Sequence, residues 1–179
     1  IVVFSDFRGR GAQIPMLGKI LDEIIVAGTE DDVEGIRRVI YAALGHALAR
    51  RLRSSLTGGI VGIEAEALVW AAQNAVSHPR VVHLARSLNE SQRSLAGRLR
   101  TEGGCTARSL LLWGRLFRAG EMLGSGRSTV ESVALELSYS ADSAFRKTVR
   151  THLGMPPSEV SDKGGFDLVM DRFLKKRNT

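Results

Sequence analysis

The chain has 179 residues, 25 Lys plus Arg against 19 Asp plus Glu, and a formal charge of +6. A hydrophobic content of 44% excludes a largely disordered chain, and no apolar run approaches the roughly 20 residues that span a bilayer. The lone cysteine, Cys105, excludes an internal disulfide framework and a Cys-cluster zinc site; with no recognisable signal peptide, a reducing cytoplasm is the expected compartment.

Ile1–Phe4 reads as a short buried strand, followed by the loop Arg8–Gly11. Ile24–Gly28 reads as a second strand. Asp31 and Asp32 then stand where a helix N-cap and first turn favour acids, and from Val33 the apolar residues Ile36, Val39, Ile40, Ala43, Leu44, Ala47 and Leu48 follow helical spacing. Arg50, Arg51 and Arg53 enrich the last turn of that helix. Two strands do not make a self-sufficient parallel sheet, so this αβ segment, residues 1–57, is expected to be partial, with strands before Ile1 or a partner completing the sheet.

Thr57-Gly58-Gly59 marks a hinge, and everything beyond it reads helical. Helices are expected over 63–76, 80–88, 91–101, 107–123, 128–137 and 140–153, with Met155-Pro156-Pro157 ending the set. A final amphipathic helix carries Phe166, Val169, Met170, Phe173 and Leu174, then the basic end Lys175-Lys176-Arg177. In the helix over 107–123, Leu112, Trp113, Leu116, Phe117, Ala119 and Leu123 form an apolar stripe with Arg108, Arg115 and Arg118 turned elsewhere. Trp70 and Trp113 read as packing residues. The charge is uneven: residues 1–58 carry 8 basic and 7 acidic side chains, residues 79–160 carry 12 and 7, and residues 161–179 carry 5 and 3. Most of the late basic residues are arginines, whose planar fork suits phosphates and guanine edges.

The helical part contains two copies of one unit. Leu84-Ala85 matches Val133-Ala134, Leu88 matches Leu137, Asn89 matches Ser138 and Ser91 matches Ser140, all 49 residues apart. Beyond that point the offset is 50: Leu95 matches Phe145, Leu99 matches Val149, Arg100-Thr101 matches Arg150-Thr151 and Gly104 matches Gly154, so the second copy holds one extra residue. Each copy has helix-turn-helix chemistry. A small residue (Ala85, Ala134) lets two helices cross closely, and four positions later Asn89 or Ser138 must accept a positive φ, which suits Asn better. Ser91 and Ser140 are candidate caps of the second helices. With Leu95, Leu99, Phe145 and Val149 facing the core, the opposite face shows Gln92, Arg93, Ala96 and Gly97 in one copy and Asp142, Ser143, Arg146 and Lys147 in the other. Small, polar and basic groups on an outward helix face suit a major groove. The helix over 107–123 is long enough, at about 25 Å, to serve as a strut between two reading helices about one DNA turn apart, near 34 Å. A helical bundle whose repeat is purely structural is the plainer alternative.

At these residues the sequence resembles the AraC/XylS family of bacterial transcription regulators. Val133-Ala134, Tyr139, Ser143, Phe145, Arg150, Gly154 and Pro157 occupy the places of the family pattern, in which Ile-Ala precedes a Gly-Phe turn, then Ser-x-Phe-x-Arg-x-Phe-Lys and Gly-x-x-Pro. Ser138 stands where the family has glycine, Val149 where it has phenylalanine and Lys147 where it has arginine. The resemblance covers about residues 63–160. It implies a mainly α fold with two helix-turn-helix units joined by a linker helix, residues 58–160, followed by a basic C-terminal helix over 161–179. It also implies a regulator that inserts two helices into successive major grooves of double-stranded DNA at a promoter or operator. The positions matching base-facing residues are Arg93, Ala96 and Gly97 in the first unit and Asp142, Ser143, Arg146 and Lys147 in the second. Since Ala96 and Gly97 lack side-chain donors, Gln92 and Arg93 are expected to carry the first reading. Arg93 suits guanine, and Asp142 either accepts from cytosine or orients Arg146. Arg98, Arg100 and Arg150 are expected at phosphates. RNA polymerase is a further partner that the resemblance admits.

Residues 1–57 resemble the last two βα units of a receiver domain, in degenerate form: Gly28-Thr29 replaces the lysine expected after the final strand. Dimerisation is the expected role of this segment, rather than phosphorylation at Asp6. No enzyme is expected. His46, His78, His83 and His152 lack metal-ligand spacing, Gly9-x-Gly11 is followed by Ile14 where a dinucleotide fingerprint needs glycine, and no nucleophile elbow or phosphate loop occurs. Cys105, after Gly104 at a helix start, has a position that lowers a thiol pKa, but no resolving partner, and reads as structural. No cofactor and no membrane contact are expected. The competing reading is a protein-interaction module with weak or lost DNA affinity.

Overall fold

The computed structural model of the chain describes residues 33–56, 60–102, 104–126 and 128–177, and every regular element among them is helical. The expected strands Ile1–Phe4 and Ile24–Gly28, and the loop between them, lie outside the described residues. Two compact units divide the chain, Ile1–His46 and Ala47–Thr179. The helix expected from Val33 is α1 (Val33–Ser55), which opens in the first unit and closes in the second.

Within Ala47–Thr179 the order after α1 is α2 (Gly62–Gln73), a 3-10 turn (Ala75–Ser77), α3 (Val81–Ser87), α4 (Gln92–Glu102), α5 (Ala107–Gly124), α6 (Val130–Glu136), α7 (Asp142–Leu153), α8 (Pro157–Asp162) and α9 (Phe166–Arg177). The expected stop at Met155–Pro157 is corrected here. Pro157 opens α8, because a proline has its φ already set for a first helical turn and its missing N–H costs nothing there.

Helix α5 is the centre of the unit. It packs most extensively on α2, then on α9, and both helix pairs α3/α4 and α6/α7 rest against it. Two interior glycines explain the close crossings. A Cβ on Gly114 would stand 2.5 Å from the backbone carbon of Ala71 in α2. One on Gly120, on another face, would stand 2.8 Å from Val169 Cγ2 and 3.0 Å from the Gly165 carbonyl oxygen. The α5–α9 seam is filled by aromatic rings: Trp113 and Phe173 lie 5.2 Å apart, Phe117 and Phe166 5.4 Å, and Phe117 and Phe173 5.9 Å between centroids. All four are buried, each contributing on the order of 1.5–3 kcal/mol. Arg51 of α1 stacks over Phe166 at 4.1 Å and pairs with Glu121 and Asp167 at 2.8 and 3.2 Å.

Among the described residues two charged side chains lie in the core. Glu64, 1% exposed, accepts from Arg177 Nε at 3.0 Å, which ties α2 to the end of α9. Arg118, 3% exposed, donates from Nη2 to Glu136 Oε1 at 3.2 Å, which ties α5 to α6. The expectation that Arg118 turns away from the core is therefore corrected. Helix α6 covers that flank of α5 and brings Glu136 to meet it.

Candidate nucleic-acid interface

The two helix pairs, α3/α4 and α6/α7, share one local geometry. Each first helix ends on a residue in the left-handed region, Asn89 at φ 56° and Ser138 at φ 50°. In each the next N–H reaches back five residues, Glu90 to the Ala85 carbonyl and Tyr139 to the Ala134 carbonyl, both at 2.9 Å. This is the Schellman closure, and it turns the chain sharply into the second helix. Ala85 and Ala134 are buried at the crossings, and Leu95, Leu99, Phe145 and Val149 are buried on the inner faces of the second helices. Gly104 and Gly154, at φ 79° and 78°, lie just past the ends of those helices.

The caps differ. Ser91 Oγ accepts from the Ser94 N–H at 3.0 Å, as expected for α4. Ser140 caps nothing; the N-cap of α7 is Ala141, with no side-chain acceptor. The extra residue of the second copy is the cause. It shifts the serine one place too early, and Asp142 at the first helical position is engaged elsewhere.

The outer face of α4 presents Gln92, Arg93, Ala96 and Arg100 exposed, with Gly97 half-buried. A Cβ on Gly97 would meet nothing within 4 Å, so no packing demand places glycine there. Arg98 is also exposed but committed. It donates to Glu90 at 2.7 Å and to Glu102 at 3.2 Å, and Glu102 in turn accepts from the Ile63 N–H at the start of α2. The Ser94 hydroxyl and the Arg98 guanidinium hold the Glu90 carboxyl below the usual carboxylate range. Arg93 and Arg100 form no ion pair among the described residues.

On α7, Ser143, Lys147 and Arg150 are exposed, and Lys147 and Arg150 are likewise unpaired among the described residues. Arg146 is held by two acids. Its Nε donates to Asp142 Oδ2 at 2.5 Å, and its Nη2 to Glu131 Oε1 of α6 at 2.8 Å. Asp142 first, then Glu131, hold the Arg146 guanidinium more firmly charged than usual. The other oxygen of Asp142 is buried without a partner. Glu131, Glu90 and Glu102 did not stand out in the sequence as parts of this surface. Glu131 lies 15 residues from the arginine it holds, on a different helix, so no helical spacing reveals it.

Cys105 is half-buried beside Glu64, and burial, then that carboxylate, push its thiol up to about 11. The nearby start of α5 therefore does not lower it. Among the described residues no group of three or more His, Cys, Asp and Glu is placed to hold a metal ion, and no helix is long and apolar enough to cross a membrane.

Among solved structures the chain is similar to a DNA-binding transcriptional dual regulator from Escherichia coli K-12, with a TM-score of 0.52 and 22% identity, over 62% of this chain and 96% of that one. At that identity the likeness is one of fold. No curated protein matches the chain. The receiver-like reading of residues 1–57 finds no support among these likenesses. Residues 84–163, which run from α3 to the end of α8 and so take in both helix pairs, match a helix-turn-helix domain of the AraC type.

Proposed function

We propose that the chain is a sequence-specific DNA-binding transcription regulator that reads a bipartite site, with α4 and α7 entering two stretches of major groove. The observation that carries this reading is the duplication itself. Two units with the same left-handed turn, the same crossing alanine and the same two buried anchors stand on one shared helix, α5. The similar regulator from Escherichia coli K-12 is a DNA-binding one, and the positive balance of residues 79–160 agrees with a phosphate-lined partner. Among the described residues of α4 and α7, Arg93, Arg100, Lys147 and Arg150 are the cations without an ion pair and so free to meet phosphates or bases, while Gln92, Ser143 and the Asp142–Arg146 pair offer side-chain hydrogen bonds to base edges. Ala96 and Gly97 leave α4 smooth where α7 is polar, so the two half-sites differ in how closely they are read. RNA polymerase and a second copy, joined through residues 1–57, are further partners of this reading, and the cytoplasm is its compartment.

Selection of bound duplexes from a random pool tests it. The expected result is an enriched motif of two half-sites about one turn apart, with affinity falling steeply as salt rises, by about 0.9 in log K per neutralised phosphate for each unit of log salt. Recovery of no motif, with weak binding to every duplex, would favour a protein-interaction module instead.

A further inference from the structure

Arg146 is the arginine of α7 that the resemblance puts at a base-facing position, and two carboxylates already hold it. The guanidinium has five N–H donors in a fixed plane. Nε is given to Asp142 and one N–H of Nη2 to Glu131. Both N–H groups of Nη1 and the second one of Nη2 stay available. The three side chains together carry one net negative charge. A lone arginine at a DNA surface is drawn to whichever phosphate is nearest. An arginine inside an acidic pair loses that pull but keeps its directed donors.

We propose that Glu131, on the first helix of the second unit, is a specificity-determining positioning residue. With Asp142 it fixes the plane of Arg146 and cancels its attraction to phosphates, so that the remaining N–H donors of the guanidinium address a base edge of guanine type. The inference rests on the DNA-binding reading above. It adds a residue outside the reading helix and a division of labour: unpaired Lys147 and Arg150 supply attraction, and clamped Arg146 supplies discrimination.

The test uses the full chain, the duplex recovered by selection and a scrambled duplex of equal length. Glu131 is two-thirds exposed at the start of α6, so Glu131→Gln keeps the fold, and a thermal melt checks this. Glu131→Gln should raise affinity for the scrambled duplex and lower the selected-to-scrambled ratio on the order of tenfold, part of what one good bidentate pair supplies. In an Arg146→Gln background the same substitution should leave the ratio unchanged. An equal gain on both duplexes would make Glu131 a mere repelling charge and overturn the proposal, as would an undiminished effect in the Arg146→Gln background. If the unaltered chain selects no duplex, the functional reading itself falls and takes this inference with it.

Discussion

The Arg118–Glu136 pair offers the sharpest test of how the second helix pair is held to α5. With side chains only 4% and 16% exposed, neither charge is well hydrated once its partner is gone. Glu136→Gln keeps the shape and an acceptor oxygen but removes the countercharge. Breaking a buried pair from one side costs about 3–5 kcal/mol, and the residual exposure of Glu136 places the cost near the lower end, about 3 kcal/mol. Against a domain stability of about 5–15 kcal/mol this is a large share, and it should lower Tm by about 10 °C. Replacing both partners with apolar groups, Arg118→Met with Glu136→Leu, should recover most or all of the loss, since a well-packed apolar pair avoids the desolvation of two ions. Urea unfolding followed by far-ultraviolet circular dichroism gives both numbers. A loss below about 1 kcal/mol for Glu136→Gln, or a double variant less stable than the single one, would refute the reasoning.

Gly97 and Gly114 should respond oppositely to alanine. Gly97→Ala meets no neighbour and should stabilise α4 by about 0.5–1 kcal/mol, whereas Gly114→Ala drives a methyl into the Ala71 backbone, at about 1–3 kcal/mol less the helix-propensity gain of about 1; denaturation midpoints of both variants decide. Cys105, raised from 9.0 to about 11, should hold about a hundredfold less thiolate than an unshifted thiol near pH 8, and a stopped-flow reaction with an aromatic disulfide at the rate of a free thiol would contradict that. His152, packed edge-on against Trp113, has its pKa lowered by burial and then by Lys176. The unfolded chain therefore takes up the proton first as pH falls below about 6.5, and stability should decline there. His152→Gln should flatten that slope in melts taken from pH 7.5 to 5, and an unchanged slope would remove His152 from the account.

Periodicity and turn chemistry made the helices after the hinge and both turns legible. The 49-to-50 offset also contained the cause of the missing cap on α7, since a serine displaced by one residue no longer reaches the orphan N–H groups of the first turn. What escaped were features decided by a distant partner. The helical phase puts Arg118 at the edge of the apolar stripe, and only the arrival of α6 turns that edge into core. Arg98 looks like a surface cation until Glu90 and Glu102 are both beside it. The Asp142–Arg146 pair was legible from its i,i+4 spacing, whereas Glu131 and the acids around Arg98 were the least legible part of the surface, and the buried anchors Leu95, Leu99, Phe145 and Val149 the most. Pro157 was ambiguous by nature, because proline both stops one helix and starts the next.

The glycine-enabled crossings of α5 have a consequence for the partner molecule. At Gly114 and Gly120 helix α5 lies so close to α2 and to the start of α9 that no side chain fits between them, and contact that close resists displacement of one helix along another. On the proposed reading, a protein that cannot stretch leaves the duplex to make up any mismatch in span or twist between its half-sites. The base pairs between those half-sites, touched by no side chain, would then influence affinity through how easily they bend or overtwist. Flexible pyrimidine–purine steps in that spacer should be favoured over stiff A-tracts, so part of the operator would be written in the mechanics of the DNA.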